Sequence, residues 1–320
     1  MTDAYQRFSA LMRSGRHREA LDVAEQELAR IGAGDAFWLT QKANALNRSS
    51  DHDPALAAAR AALALEPSNP YAIHSAADAL LGLHRFEEAL GHYREIVDHQ
   101  KIGARARAGV FECLDRLGRW EELLESLASI PEKERCPWRV KALRSLGRTA
   151  EAMAECRQWL ADRPHHPPAL WELSELEISA DGLDVVRSRY ERLAKIPSLP
   201  GIYREIYASL CKKAGLPELA LKEYEKIDVA GAGTRVQRKQ AFLLAKTGRE
   251  RDAIPLLEEL LTIDPKDVYL HSSYSAACGR VNELERAIDF YMRLMGKFPE
   301  EKGLYGRINR LKKKLEARAP

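Results

Sequence analysis

Residues 83–90 read Leu-His-Arg-Phe-Glu-Glu-Ala-Leu, and this stretch decides the fold because the context of its alanine, Ala89, recurs along the chain. Six alanines and two apolar substitutes occupy the equivalent position: Ala20, Ala55, Leu123, Ala152, Val186, Ala220, Ala253 and Ala287. From Ala20 onward, successive positions lie 35, 34, 34, 29, 34, 34, 33 and 34 residues apart. A spacing this regular indicates an internal repeat with one structural unit per period.

Each period has the pattern of two helices joined by a tight turn. A residue that tolerates left-handed backbone lies five positions before the alanine in six periods: Gly15, Gly118, Gly147, Gly215, Gly248 and Asn282. Apolar residues four and seven positions after the alanine, such as Tyr93 and Ile96, form the stripe of a second helix. Pro67, Pro164, Pro265 and Pro299 come twelve after it, where a missing N–H stops that helix. The sequence therefore predicts a helical hairpin in each period.

Small residues at the helix contacts predict close stacking of these hairpins. A single hairpin buries too little apolar surface to offset the entropy lost on ordering, so neighbouring hairpins must supply the remaining contacts. Alanine lets the helices approach without a gap. We expect a large side chain at Ala89 or Ala220 to cost about 1–3 kcal/mol through overpacking.

This pattern resembles the tetratricopeptide repeat family over nearly the whole chain. The resemblance implies an all-α, right-handed superhelical solenoid of about nine helical hairpins in residues 1–301, followed by a basic capping helix in 302–320. The hairpins would be 1–35, 36–69, 70–103, 104–132, 133–166, 167–200, 201–233, 234–267 and 268–301. The pattern is irregular at 104–132, which is about five residues short, and at 167–200, where Val186 replaces the alanine.

The charge balance excludes a general polyanion binder but leaves a local excess. The 320 residues include 50 basic and 47 acidic side chains, a formal net charge of +3. Residues 302–320 hold seven of the basic side chains and one acidic side chain. Leu304, Ile308, Leu311 and Leu315 have helical spacing there. We favour a helix that caps the last hairpin, and the alternative is an arm that contacts nucleic-acid phosphates.

Motifs for export, membrane insertion and catalysis are lacking in the sequence. No apolar signal-peptide core or bilayer-spanning stretch is present, so we expect a cytoplasmic protein without a membrane partner. The five cysteines have no paired spacing and are expected to be reduced packing residues. No phosphate-binding glycine loop, nucleophile elbow or metal-ligand spacing occurs. We therefore expect no enzyme activity, no cofactor and no metal site.

The resemblance also implies that the first helices line a concave groove and contact a ligand. By position these residues would be Tyr5, Phe37, Thr40, Asn44, Arg48, Tyr71, His74, Asp78, Trp171, Lys212, Lys213, Arg235, Arg238, Lys246 and Arg280. In the family, an amide at the position of Asn44 often bridges to the main chain of the ligand. Thr40, Ser9 and Asp78 stand where a lysine-rich carboxylate clamp would need basic or amide residues, which disfavours binding of a chaperone tail.

Function follows from this surface only in outline. Lys212, Lys213, Arg235, Arg238 and Lys246 would attract an acidic peptide or a phosphate if they converge, and otherwise form a solvated face. We expect a non-catalytic scaffold or adaptor that binds an extended peptide or a partner helix in its groove. One alternative is a regulator of nucleic-acid transactions that uses the basic C-terminal helix. Another is an accessory subunit of an enzyme complex, and the oligomeric state stays open.

Overall fold

The computed structural model describes residues 3–32, 34–128, 130, 132–227, 233–299, 301 and 303–317. Nineteen helices and no strands occur in these ranges. They are α1 (Asp3–Arg13), α2 (His17–Ile31), α3 (Ala36–Arg48), α4 (His52–Leu65), α5 (Pro70–Gly82), α6 (Phe86–Glu95), α7 (Gly103–Arg116), α8 (Trp120–Ser126), α9 (Glu132–Ser145), α10 (Thr149–Asp162), α11 (Pro167–Asp181), α12 (Leu183–Ala194), α13 (Ile202–Lys213), α14 (Pro217–Glu225), α15 (Thr234–Lys246), α16 (Glu250–Ile263), α17 (Val268–Arg280), α18 (Leu284–Lys297) and α19 (Gly303–Glu316).

Two compact units divide the chain, Met1–Glu155 and Cys156–Pro320. Within each unit, consecutive helices pack against each other as hairpins, such as α3 with α4 and α5 with α6 in the first unit and α13 with α14 in the second. The first helices of neighbouring hairpins also touch, α3 with α5 and α5 with α7 in one unit, and α11 with α13 and α15 with α17 in the other. Each unit is therefore an all-helical solenoid in which hairpins stack on their chain neighbours. Residues 302 and 318–320 of the predicted basic segment lie outside the described residues.

The predicted turn residues have the left-handed backbone that reverses the chain. Positive φ angles occur at all six positions: Gly15 (75°), Gly118 (69°), Gly147 (72°), Gly215 (75°), Gly248 (80°) and Asn282 (60°). His84 and Ser50 take the same conformation between α5 and α6 and between α3 and α4, with φ angles of 60° and 64°. The turn prediction is confirmed, and it extends to two residue types that the sequence pattern did not single out.

The repeated small residues lie at the helix contacts. Ala20, Ala55, Ala89, Ala152, Ala220, Ala253 and Ala287 are all fully buried, and so are the substitutes Leu123 and Val186. The shortened period appears as a second helix of seven residues, α8. Cys113, Cys211 and Cys278 are buried free thiols, as expected for packing residues, and Cys156 is buried as well. The side chain of Cys136 lies outside the described residues.

Ion pairs join neighbouring hairpins on the surface. Arg119 Nη1, directly before α8, lies 3.1 Å from Glu87 on α6, and Arg94 on α6 pairs with Glu122 on α8. In the second unit, Arg286 Nε on α18 lies 3.0 Å from Glu258 on α16. In all three pairs the two charges come from adjacent hairpins, so these surface ion pairs link hairpins that already pack against each other.

Among the described residues, no helix combines the length with the apolar character that a bilayer crossing requires.

Candidate functional site

A cavity of about 660 Å³ opens on the first unit, and first helices supply most of its wall. The lining residues are Tyr5, Phe8, Ser9, Met12 and Arg13 of α1, Gln41, Asn44, Asn47 and Arg48 of α3, His74 and Asp78 of α5, and Arg105 of α7, with Gly15 and His17 at the rim of the first hairpin. Five of the residues predicted to contact a ligand therefore meet here: Tyr5, Asn44, Arg48, His74 and Asp78.

Hydrogen bonds to the α5 backbone and side chains hold the asparagines of α3. Ser75 Oγ lies 2.7 Å from Asn44 Oδ1 and 2.9 Å from the Tyr71 carbonyl oxygen, so these two acceptors share its single hydroxyl proton. Asn47 Nδ2 donates to the Ser75 carbonyl oxygen at 2.8 Å. The carbonyl oxygen of the Asn44 amide is thus engaged, while its NH2 group has no acceptor within the described residues. Both N–H bonds of the Asn44 amide are consequently available as donors at the wall of the cavity.

Asp78 is fixed from the core side of the cavity. Tyr93 donates its hydroxyl to Asp78 Oδ1 at 2.5 Å, and His74 Nδ1 lies 3.3 Å from Asp78 Oδ2. Burial and the adjacent Asp78 carboxylate raise the pKa of Tyr93 far above its ordinary value, so the phenol stays protonated and keeps donating. A carboxylate held by a buried tyrosine therefore presents a stable acceptor to the cavity.

Three guanidinium groups at the cavity, those of Arg13, Arg48 and Arg105, form no ion pair within the described part of the chain. Lys42, on the same helix as Arg48, pairs in contrast with Glu25 at 2.8 Å. The cavity thus combines amide donors, one fixed carboxylate and three available cations. Arg105 was missed at the sequence level, although the same first-helix rule that selected Arg48 applies to α7.

Of the three aromatic residues predicted to contact a ligand in the first unit, one lines the cavity and two do not. Tyr5 lines the cavity, and its ring meets Phe37 edge-on at a centroid distance of 5.4 Å. Phe37 and Tyr71 are 45% and 44% exposed, but neither lines the cavity. Thr40 is only 2% exposed and donates to the Ala36 carbonyl oxygen at 2.7 Å. A ligand in the cavity would not reach Thr40, because the threonine faces the helix contacts.

In the second unit, most of the predicted basic cluster is already paired with acids of the chain. Arg235 Nη2 lies 2.6 Å from Glu205, Lys213 Nζ lies 2.6 Å from Glu175, and Arg238 pairs with Asp267. Lys212 and Lys246 have no ion pair within the described residues. These internal partners neutralise the centre of the cluster, so it does not form the convergent cationic site that the sequence suggested.

The remaining predictions in the second unit lie at two places. Trp171 is covered by Lys239, whose Nζ lies 4.6 Å from a ring centroid of the indole. Lys246 and Arg280 line a cavity of about 650 Å³ together with Phe242, Ala245, Gly248, Glu250, Ser272, Ser273 and Ala276. Arg280 donates there to Glu250 at 2.5 Å and to the Ala245 carbonyl oxygen at 2.7 Å.

Comparisons with known proteins give structural neighbours only. No protein-family model matches the chain, and no curated protein sequence matches it either. The solved structures that it resembles include the TPR domain of P58(IPK), with 14% identity, 98% of each chain covered and a TM-score of 0.32. Another is the C-terminal part of a TPR repeat-containing protein from Cytophaga hutchinsonii, with 12% identity, 84% of this chain and 98% of that chain covered and a TM-score of 0.49.

These neighbours are tetratricopeptide repeat proteins, and the all-helical pairs described above are consistent with that repeat. At such TM-scores the likenesses add nothing to what the hairpins themselves show about the fold.

Proposed function

We propose that this chain is a non-catalytic scaffold that binds an extended peptide of a protein partner in the cavity of its first unit. The observation that supports the proposal best is the state of Asn44, whose oxygen is engaged by Ser75 while its NH2 group is available at the cavity wall. An extended peptide offers one carbonyl acceptor and one N–H donor per residue, and it needs such groups when water is displaced.

The other groups in the cavity suit the same ligand. Asp78 offers an acceptor for peptide N–H groups or a basic side chain, and Arg48 and Arg105 offer charged donors to carbonyl or carboxylate oxygens. Tyr5 supplies a large, rigid ring of the type that often anchors an interface. Shape and a few fixed polar groups would therefore carry recognition, with no chemistry on the ligand.

A peptide selection tests this function directly. Peptides recovered from a random displayed library against the full chain would be measured by fluorescence anisotropy with the wild type and with Asn44→Ala. We expect the variant to weaken binding about 10-fold, because a buried peptide carbonyl loses its donor. Asn309→Ala serves as the matched control, since Asn309 is exposed on α19 and should leave binding unchanged.

Failure would take a definite form. If the selection yields no peptide, or if the selected peptides bind Asn44→Ala and an Arg48→Ala/Arg105→Ala variant as tightly as the wild type, the cavity of the first unit is not the binding site.

A further inference from the structure

Two adjoining cavities on the second unit share Ala276 of α17. The first, of about 650 Å³, is lined by the end of α15 and by α17, including Lys246, Ser272 and Arg280. The second, of about 300 Å³, lies between α17 and α19 and is lined by Ser275, Ala276, Arg307, Arg310, Leu311 and Lys314. Five basic side chains line this pair of adjoining cavities, which we call the recess, and together they form what we call the cationic face: Lys246, Arg280, Arg307, Arg310 and Lys314.

Helix α19 directs three of these cations to the same side. Arg307, Arg310 and Lys314 follow the spacing i, i+3 and i+7, which places them in one stripe beside the buried Leu304, Ile308 and Leu311. Lys312 and Lys313 on the same helix line neither cavity, although they are exposed like Arg310 and Lys314. The positive charge of α19 is therefore divided between a stripe that lines a cavity and a stripe that does not.

The cationic face lacks the internal neutralisation seen elsewhere in this unit. Lys246, Arg307 and Lys314 form no ion pair within the described residues, and Arg310 Nε donates only to the Gly306 carbonyl oxygen at 3.2 Å. Glu250 is the one acidic side chain lining the recess in the described chain, and Arg280 already binds it. On the preceding helix α15, in contrast, Arg235, Arg238 and Lys239 are all paired with acids.

Neighbouring groups respond to this uncompensated charge. Burial lowers the pKa of His271, and the positive charge of Arg307 lowers it further. Burial raises the pKa of Tyr291 to about 12, and Arg307 and Arg310 both act in the opposite direction. Arg307 and Arg310 thus act on groups in the core of the last hairpin, and Asp264 and Glu301 oppose Arg307 at His271.

We propose that the cationic face binds an acidic segment of a partner protein, at a site separate from the peptide cavity of the first unit. Arginine forks bind carboxylates in pairs of parallel hydrogen bonds, and two arginines without an ion pair in the described chain, Arg307 and Arg310, line the recess. Two lysines and Arg280, which already binds Glu250, complete the cationic lining. The hydroxyls of Ser272 and Ser273 add neutral donors beside the charges. An extended chain rich in glutamate or aspartate supplies the complementary charge.

The placement of charged and aromatic side chains at the recess favours a peptide over a nucleic acid. A nucleic-acid surface tracks successive phosphates with spread cations and stacks bases on exposed rings. The described lining of the cationic face contains one aromatic residue, Phe242, which is half-buried. Lys312 and Lys313 would also serve a phosphate track, yet they lie outside the recess. A single acidic chain in the recess uses the cations that face it and no others.

Matched charge reversals on α19 test the proposal. The probe is a fluorescein-labelled peptide of alternating glutamate and serine, measured by anisotropy against the full chain at physiological ionic strength. We expect Arg310→Glu/Lys314→Glu to weaken binding about 10-fold or more, since both groups line the recess. Lys312→Glu/Lys313→Glu makes the same change in net charge on the same helix and should weaken binding less than about 2-fold, because exposed charges outside the contact are screened.

Additional variants complete the experiment. Lys246→Glu on α15 should also weaken binding of the acidic peptide, and this variant replaces Arg310→Glu/Lys314→Glu as the test if that variant loses its circular dichroism signal. Asn44→Ala should leave this binding intact, which separates this site from that of the proposed function. The proposal is overturned if the acidic peptide does not bind, if a glutamine–serine peptide binds equally well, or if both α19 variants are weakened alike. Tighter binding of a single-stranded oligothymidine, lost in both α19 variants, would likewise overturn it and identify a phosphate-binding arm.

Discussion

Arg235 Nη2 donates a 2.6 Å hydrogen bond to Glu205 Oε2, and the Glu205 side chain is only 2% exposed. Lys239 Nζ donates to the other carboxylate oxygen at 2.8 Å. A buried carboxylate is tolerated because both oxygens have a charged donor, whereas the two cations are partly solvated. The pairing therefore fixes α15 on α13 around an acid that has no other counter-charge in the described residues.

Removing both cations should expose the cost of this buried charge. We expect Arg235→Ala/Lys239→Ala to lower the free energy of unfolding by about 3 kcal/mol, because Glu205 is left buried without a partner. Urea denaturation followed by circular dichroism measures the change. Lys212→Ala/Lys246→Ala removes two basic residues that have no ion pair within the described chain, and it should change stability by less than about 0.5 kcal/mol. Equal stabilities of the two variants would contradict this account of Glu205.

Two glycines in neighbouring helices should respond to alanine in opposite directions. A Cβ at Gly109 on α7 would lie 2.5 Å from the Tyr93 ring, which the hydroxyl bond to Asp78 holds in place. We expect Gly109→Ala to destabilise the chain by about 1–3 kcal/mol through overpacking. At Gly91 on α6 a Cβ would meet nothing within 4 Å, so Gly91→Ala should stabilise by about 0.5–1 kcal/mol. Thermal unfolding of both variants checks the signs, and stabilisation at Gly109 would refute the packing argument.

The repeated alanine should tolerate no enlargement, as its burial implies. Ala89 is fully buried at the contact between helices, whereas Ala57 on α4 is exposed. We expect Ala89→Leu to lower the free energy of unfolding by about 1–3 kcal/mol and Ala57→Leu to leave it nearly unchanged. Denaturant midpoints compare the two, and similar midpoints would show that the hairpins do not pack through this position.

His271 should make stability depend on pH. Its Nε2 lies 2.9 Å from the Pro265 carbonyl oxygen and its Nδ1 lies 3.2 Å from the Tyr291 hydroxyl, so the neutral ring has one donor and one acceptor in use. Burial lowers its pKa, and the unfolded chain, with a histidine pKa of about 6.5, therefore binds more protons just below that value. Its contribution to stability is complete above pH of about 6.5 and is lost as the pH falls toward the lowered pKa of the folded state.

Urea midpoints between neutral and mildly acidic pH test this linkage. The wild type should lose stability with falling pH more steeply than His271→Gln, which cannot bind the proton. The pH slope is the readout, since the substitution also changes packing. Parallel slopes for the two proteins would mean that His271 does not carry the effect.

The sequence predicts the hairpins well because local rules decide them. A left-handed turn needs Gly or Asn in most periods, and the helix contact needs a small side chain. The residue types of Gly215 and Ala220 therefore predict the turn and the contact, respectively. His84 takes the same turn conformation without such a signal. Packing of the hairpin holds that backbone in place, and a residue-type rule does not detect it.

The candidate sites are less predictable because long polar side chains choose partners in three dimensions. Arg235 and Arg238 appear free in the sequence, yet Glu205 and Asp267 bind them from neighbouring hairpins. Arg307, in the segment predicted to cap the last hairpin, lines a cavity whose described lining contains no acidic side chain. Position within a helix predicts which face a residue occupies, but the balance of charge on that face depends on the next hairpin.

The ion pairs between adjacent hairpins make the surface charges of each hairpin specific for its own neighbour in the chain. Arg119 matches Glu87 on the hairpin before it, and Arg286 likewise matches Glu258. If one hairpin were excised, the apolar contacts of its neighbours would still be compatible, since small residues recur at every junction, but the charges brought together would no longer correspond. Shuffled or shortened versions of this protein should therefore bring charges together that do not match at the surfaces of neighbouring hairpins. The surface ion pairs thus favour the natural order of the hairpins, as the core contacts alone would not.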